Sequence, residues 1–260
     1  MAGLLVGLTA GILGGLVGVG GGVIMIPMMT ELLHFRQHEA HGTSIFAVVF
    51  TAVAGAFIYY LHGSADVPAS ALLAAMALCT VRIGAKYCCF LPEWKLKRYF
   101  GVFLLLMAVL LLLKPLLPHA VEGVSPAWIR WSVLVVLGIL TGFVSGMMGV
   151  GGGIFMVPMM VIFAGIAQHT AQGISLLAMI PASAVGAWTH WKAGNTNKKL
   201  LPGLIVGVLA GVYAGGSFAH LMPDNGLRLV FAALMFYTAT RYLWAKPKPE
   251  EACAIKEGEA

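Results

Sequence analysis

Two stretches of this chain hold residue types suited to binding a negative ion. Gly18-Val19-Gly20-Gly21-Gly22-Val23-Ile24-Met25-Ile26-Pro27 returns 131 residues later as Gly149-Val150-Gly151-Gly152-Gly153-Ile154-Phe155-Met156-Val157-Pro158. A glycine run breaks a helix. A helix that restarts after it begins with unpaired backbone N–H groups and the positive end of its dipole. Glycine also reaches the conformations in which successive N–H groups make an anion nest, and it lets a ligand come close to the backbone. Gly20, Gly21, Gly22 and Gly151, Gly152, Gly153 are therefore candidate substrate-binding residues for a small anion. The competing reading is that these glycines only allow tight helix packing. Duplication, with a proline after each copy, favours binding. A nucleotide fingerprint fits poorly, because no βαβ unit surrounds the glycines and no P-loop Lys-Ser/Thr follows.

Polar side chains near the breaks complete the candidate site. Thr43, Ser44, Ser145 and Ser175 can donate hydroxyls to an oxyanion, and Gln172 can donate an amide. Each could equally bond back to its own helix, although the recurrence of Ser44 as Ser175 favours ligand contact for that pair. Arg82 and Lys86 lie four apart on one helix face, and Arg82 is a candidate for helping an anion enter or leave. Both lie near a helix end, where snorkelling to the interface is the competing role. His190 could carry protons, or serve as an interfacial anchor. His34, His38 and His41 read as hydrated loop histidines, since their order is not H-E-x-x-H. Cys79, Cys88, Cys89 and Cys253 show no metal-site spacing. No metal, cofactor or hydrolase nucleophile is expected.

The elements that must position these residues are membrane helices. The chain is 60% hydrophobic and 10% charged over 260 residues, against roughly 25% charged in a soluble domain. Apolar runs of spanning length recur from end to end. Its net charge of +6 sits in short loops, which reads as a topology signal and not as nucleic-acid binding. The first residues are not expected to be a cleaved signal peptide: they lack a basic n-region and are copied inside the chain.

Gly7–Met29 and Gly138–Met160 share 12 of 23 residues without a gap, so the chain is an internal duplication. Repeat 1 covers 1–118, with a broken segment at 3–34 and spans at 42–61, 69–90 and 99–117. Repeat 2 covers 128–246, with a broken segment at 128–166 and spans at 171–191, 202–221 and 227–244. Residues 247–260 form a tail. The same offset carries His38 to His169, Gly42 to Gly173, Ser44 to Ser175 and Gly55 to Gly186. Gly7, Gly11 and Gly15 mark one helix face for close packing. Pro27 is expected in the first turns of a resumed helix, where its missing N–H matters little.

Each broken segment is too long for one straight span, and each of its parts is short for a span. A helical hairpin that enters, breaks and returns fits both lengths. Ordinary spans would make the halves parallel and divide the Lys and Arg residues nine to seven. Re-entrant hairpins make the halves inverted and divide them thirteen to three, as the positive-inside rule expects. Pairs of full spans give the same loop assignment. The expected fold is therefore an all-α polytopic membrane protein of two inverted repeats. Each repeat has a glycine-broken helical hairpin plus three transmembrane helices, and both termini are cytoplasmic. Parallel halves are the alternative.

The pattern G-x-x-x-G-x-x-x-G-x-x-G-x-G-G-G-x-x-x-x-P, present twice, resembles the TauE/SafE family of anion transporters. Gly42-Thr43-Ser44 looks like that family's second recurring patch, with Gly173-Ile174-Ser175 as a weaker partner. The resemblance covers essentially the whole chain. It implies a secondary transporter in the cell inner membrane that moves sulfite, sulfoacetate or a related organosulfonate. Inverted repeats with broken helices imply alternating access. An anion channel is the alternative, and a membrane-embedded enzyme a weaker one. The expected partners are a small anion and the lipid bilayer, with a coupling ion and a homodimer left open. Nucleic acid is not expected.

Overall fold

The computed structural model describes residues 2–88, 93–113, 127–148, 152–192 and 194–244. The described residues form ten helices and no strand. In chain order they are α1 (Ala2–Val17), α2 (Gly22–Glu31), α3 (Gln37–Leu61), α4 (Val67–Cys88), α5 (Glu93–Leu113), α6 (Ala127–Met148), α7 (Gly153–Phe163), α8 (Gln168–Lys192), α9 (Leu201–Leu221) and α10 (Asp224–Leu243). The bounds of α3 shifted by 131 are the bounds of α8 at both ends. The histidine-bearing segment before α3 is shorter than a loop over Glu31–His41 would be, because α3 already starts at Gln37.

The first break is a hairpin. Gly18, Gly20 and Gly21 have φ of 71, 80 and 74°, a region that residues with a Cβ rarely enter. The chain turns back there, so that Gly21 lies on Ala10 and Thr9 Oγ1 lies 3.5 Å from Met28 Sδ. The ten residues of α2 rise about 15 Å, half of a bilayer core about 30 Å thick. Pro27 is the sixth residue of α2 and not part of its first turn. Its missing N–H therefore leaves the Val23 carbonyl without the donor an α-helix normally supplies. Pro158 does the same to the Ile154 carbonyl in α7.

The two halves exchange helices. α1 lies along α9 and runs in the same direction: Gly3, Gly7, Gly11 and Gly15 face Leu200, Leu204, Val208 and Val212 in turn. Gly207, Gly211 and Gly215 of α9 answer with contacts to Leu4, Leu8 and Ile12. α6 lies along α4 in the same manner, with Gly138 on Leu73 and Gly142 on Ala77. α3 and α8 run antiparallel, since Gly55 meets Leu176 while Gly186 meets Ile45. α5 and α10 are antiparallel too, with the Phe100 and Tyr242 rings 5.9 Å apart.

These contacts are close because glycine permits them. A Cβ at Gly7 would lie 2.3 Å from the Leu204 carbonyl oxygen, whereas one at Gly203 would lie 3.4 Å from its nearest neighbour. Gly7→Ala is therefore expected to destabilise the detergent-solubilised protein by about 1–3 kcal/mol, as overpacking does. Gly203→Ala, identical in chemistry, should be neutral or slightly stabilising. Thermal unfolding of the two variants side by side measures the difference.

Glu39–Leu61, Gln168–Lys192 and Leu201–Leu221 are long and apolar enough to cross a membrane. Leu5, Phe57, Val102, Val185, Val206 and Phe236 are each more than half exposed. That much exposed apolar surface needs lipid around it.

Candidate functional site

The two glycine breaks meet. α2 and α7 start from the same left-handed glycine cap, Gly21 at φ 74° and Gly152 at φ 74°. Neither start has a side-chain cap, so their first N–H groups have no side-chain acceptor. Gly153 backs onto Val19: a Cβ built on it would lie 3.0 Å from the Val19 Cα. It would also lie 2.9 Å from Met179 Sδ and 3.1 Å from Ser175 Oγ. Gly20 faces the other end of Met179 and Val48, and Gly18 faces Gln172. α8 thus lies between the breaks and touches both.

Side chains of α8 tie the first break in place. Ser175 Oγ donates to the Gly18 carbonyl at 3.2 Å. Tyr59 brings its hydroxyl 2.7 Å from Gln172 Oε1 and 3.1 Å from the Gly15 carbonyl. Its single proton can serve one of these at a time. Gln172 is fully buried and its Nε2 has no partner; one turn away, Gln168 is also fully buried with both amide atoms unpartnered. Buried donors are normally satisfied, so these amides are poised for a ligand or water.

Beside the second break, Thr141 and Ser145 lie against Gly152. Thr141 Oγ1 is buried without a partner. With Ala77, Met156, Met179 and Ala182 these residues line a cavity of about 10 Å³, roughly the room one water needs. Among the described residues, the buried polar ones are all uncharged: Thr43, Ser44, Thr51, Ser70, Thr141, Gln168, Gln172, Ser175, Ser183 and Thr238. Among the described residues, the chemistry at the breaks is donation from amides and hydroxyls, without a fixed charge.

The structure thus brings Gly20, Gly21, Gly22, Gly152, Gly153, Gln172 and Ser175 into one region. It places others elsewhere. Thr43 Oγ1 accepts the Asn197 N–H at 3.0 Å and anchors the α8–α9 connection. Ser44 Oγ bonds back to the His41 carbonyl at 3.4 Å, within its own helix. Gly42 and Gly173 are packing positions: a Cβ on either would come 2.1 Å from a carbonyl, of Asn195 and Ser64 respectively. Gly151 and the side chains of Arg82 and Lys86 lie outside the described residues. Tyr59, Gln168 and Thr141 did not stand out in the sequence. The available signal for Tyr59 was its repeat counterpart, His190: a polar ring recurs at that position of an otherwise apolar helix.

Comparison with known proteins returns one family and a set of relatives. The family model described as Sulfite exporter TauE/SafE matches residues 3–242. The chain is 28% identical over 236 residues to the probable membrane transporter protein YdhB of Bacillus subtilis, covering 90% of this chain and 95% of that one. It is 28% identical over 199 residues to the probable membrane transporter protein MJ0441 of Methanocaldococcus jannaschii, covering 74% and 72%. A second Bacillus subtilis protein, the probable membrane transporter protein YunE, is 22% identical over 262 residues, covering 93% and 96%. No solved structure matches.

Proposed function

This chain belongs to the sulfite exporter TauE/SafE family, and from that premise we propose that it is a secondary transporter for a small sulfur-containing anion, working by alternating access between two inverted repeats. The inverted arrangement is supported by the antiparallel packing of the equivalent helices α3 with α8 and α5 with α10. Equivalent helices that cross a bilayer in opposite senses belong to halves of opposite topology. The thirteen-to-three division of Lys and Arg puts both termini on the cytoplasmic side of the inner membrane. Lys192 and Lys198 stack over Trp188 and Trp191 at 5.3 and 4.9 Å, as interfacial anchors on that charged side do.

One observation carries the reading: Gly153 of the second break rests on Val19 of the first, and each break opens a helix on an uncapped, left-handed glycine. A small oxyanion between them would be held by amide and hydroxyl donors on both sides. The unpartnered Gln172 amide is the second sign of a ligand there. With the breaks in contact, the chain is closed at that point. Exchange of access then requires the Val19–Gly153 contact to part on one side at a time, which favours a carrier over a channel.

The test is uptake of radiolabelled sulfite, sulfoacetate and thiosulfate into proteoliposomes. Saturable uptake with counterflow is expected for at least one of them. Non-saturating flux would identify a channel, and no flux across a broad anion panel would remove the transporter reading.

A further inference from the structure

Three histidines meet where α3 and α9 end and α8 begins, His62 as the C-cap of α3, His220 in α9 and His169 in α8. His62 and His220 stack with ring centroids 4.0 Å apart, and His169 lies 5.4 Å from His220. His62 Nδ1 lies 2.8 Å from the Ile58 carbonyl and His220 Nδ1 lies 2.8 Å from the Gly216 carbonyl. Each ring therefore donates from Nδ1, and Nε2 is left as the proton-accepting nitrogen. His220 Nε2 is buried without a partner. His169 differs: its Nδ1 contacts the Asp224 carboxylate and its Nε2 faces the Ala219 carbonyl at 3.0 Å. Both partners are acceptors, and only the doubly protonated ring satisfies both.

The cluster is wired to the first break. The Tyr59 ring meets His220 edge-on at 4.6 Å. Its hydroxyl reaches Gln172 Oε1 and the Gly15 carbonyl, and Gln172 packs on Gly18. Tyr59 precedes His62 by three residues and Gln172 follows His169 by three. The histidines thus lie about one helical turn, roughly 5 Å along their helices, from the residues that touch the break. Among the described residues, Tyr59 from α3 faces His220 and Asp224 from α10 faces His169, and Arg228 lies one turn further along α10.

The duplication accounts for His169, whose counterpart is His38, but not for the stack. The repeat counterpart of His62 is Ala193, and that of His220 is Cys89. A stack needed only to hold the repeat together would recur; this one is confined to one end of the molecule. In the orientation proposed above, that end faces outward, opposite the lysine-rich loops.

We propose that His62, His169 and His220 form a proton-binding site that couples proton occupancy to anion binding at the first glycine break. The proposal rests on the transporter reading. A proton added at Nε2 of the His62–His220 stack places a positive charge beside Tyr59, which reaches the break through its hydroxyl. Repulsion between rings 4.0 Å apart opposes a second proton on the stack. The anion then binds better with the proton aboard, and by linkage the proton binds better with the anion aboard. Proton and anion move together, so the mode is symport.

Two measurements test this. In the first, isotope-labelled histidine in the full chain is followed by NMR in phosphatidylethanolamine–phosphatidylglycerol vesicles, with no substrate, from about pH 5 to about pH 8. The His220 ring should gain a proton within that range, and His62→Gln should shift the transition. A His220 ring fixed in one protonation state overturns the proposal whatever transport does. In the second, proteoliposomes take up labelled methanesulfonate, an anion whose charge is constant over the range. An acid-outside gradient of about one pH unit should raise accumulation up to about tenfold per coupled proton. His220→Gln and His62→Gln should lose that response. Should His220→Gln fail to fold, His62→Gln, at the exposed end of α3, carries the same test. Parent flux that ignores the gradient, or variants that keep the full response, overturns the coupling. Absence of exchange for every anion in the parent sinks the transporter reading instead, and the NMR result then decides the proton site alone.

Discussion

Gly21→Val and Gly152→Val are each expected to lower anion uptake at least about 100-fold, the loss that some 2.7 kcal/mol of binding or barrier would give. Two effects combine at these positions. The backbone is left-handed at both, φ 74°, where a Cβ meets the following carbonyl at about 1–2 kcal/mol. The side chain then has nowhere to go. At Gly21 a Cβ would lie 2.7 Å from the Ala10 carbonyl oxygen, and at Gly152 2.9 Å from Thr141 Cγ2. The helix start must shift, and its N–H groups shift with it. Gly194→Ala separates strain from site, since Gly194 is also left-handed, at φ 72°, but has open space around it. That variant should lose some thermal stability and keep its uptake. Initial rates normalised to monodisperse protein make the comparison. Gly21→Val or Gly152→Val that folds and transports normally would show that the breaks are not the site.

The symmetry of that prediction, one residue per half, was legible in the sequence because the constraint is local. A left-handed cap before a helix demands glycine wherever it occurs, so Gly21 and Gly152 announce themselves by type and by repeat. The stripe Gly7, Gly11, Gly15 announced a packing face for the same reason. Its partner, the stripe Gly207, Gly211, Gly215, was equally visible as a spacing, but nothing local says that the first helix of one half packs on the fourth of the other. Ser44 and Ser175 show the limit of arguing from repeats. They share an offset, yet Ser175 bonds across to Gly18 while Ser44 bonds back to His41. Thr43 was read as a ligand donor from its place in a motif, and its hydroxyl instead receives the N–H of Asn197, 154 positions away. Tyr59 and Gln172, 113 positions apart, touch only because α3 and α8 cross. Pairings of that kind have no periodicity to read, so the breaks could be found from sequence and their supporting side chains largely could not.

Gln172 gives the second large effect, and the sign of that effect identifies the ligand's charge. Its Nε2 is a buried unpartnered donor beside the first break, held there because Oε1 already accepts from Tyr59. Tyr59→Phe removes that hold and leaves the amide free to rotate, with an expected loss of affinity of about threefold to tenfold, one ordinary hydrogen bond. Gln172→Leu removes the donor itself and should weaken anion binding about tenfold. Gln172→Glu makes the test sharp. A carboxyl buried at this position favours its neutral form, and the neutral form can still donate to an anion. At low pH this variant should therefore bind radiolabelled sulfoacetate nearly as well as the parent. As pH rises through the titration of the new carboxyl, a negative charge appears beside the ligand, and affinity should fall at least about 100-fold. The parent lacks this additional step, because an amide does not titrate, and whatever pH dependence the histidines impose is common to parent and variant. Equilibrium binding in detergent across the pH range reads the profile directly. A site built for a cation would give the opposite slope, tightening as the carboxylate forms, and a site remote from Gln172 would give none.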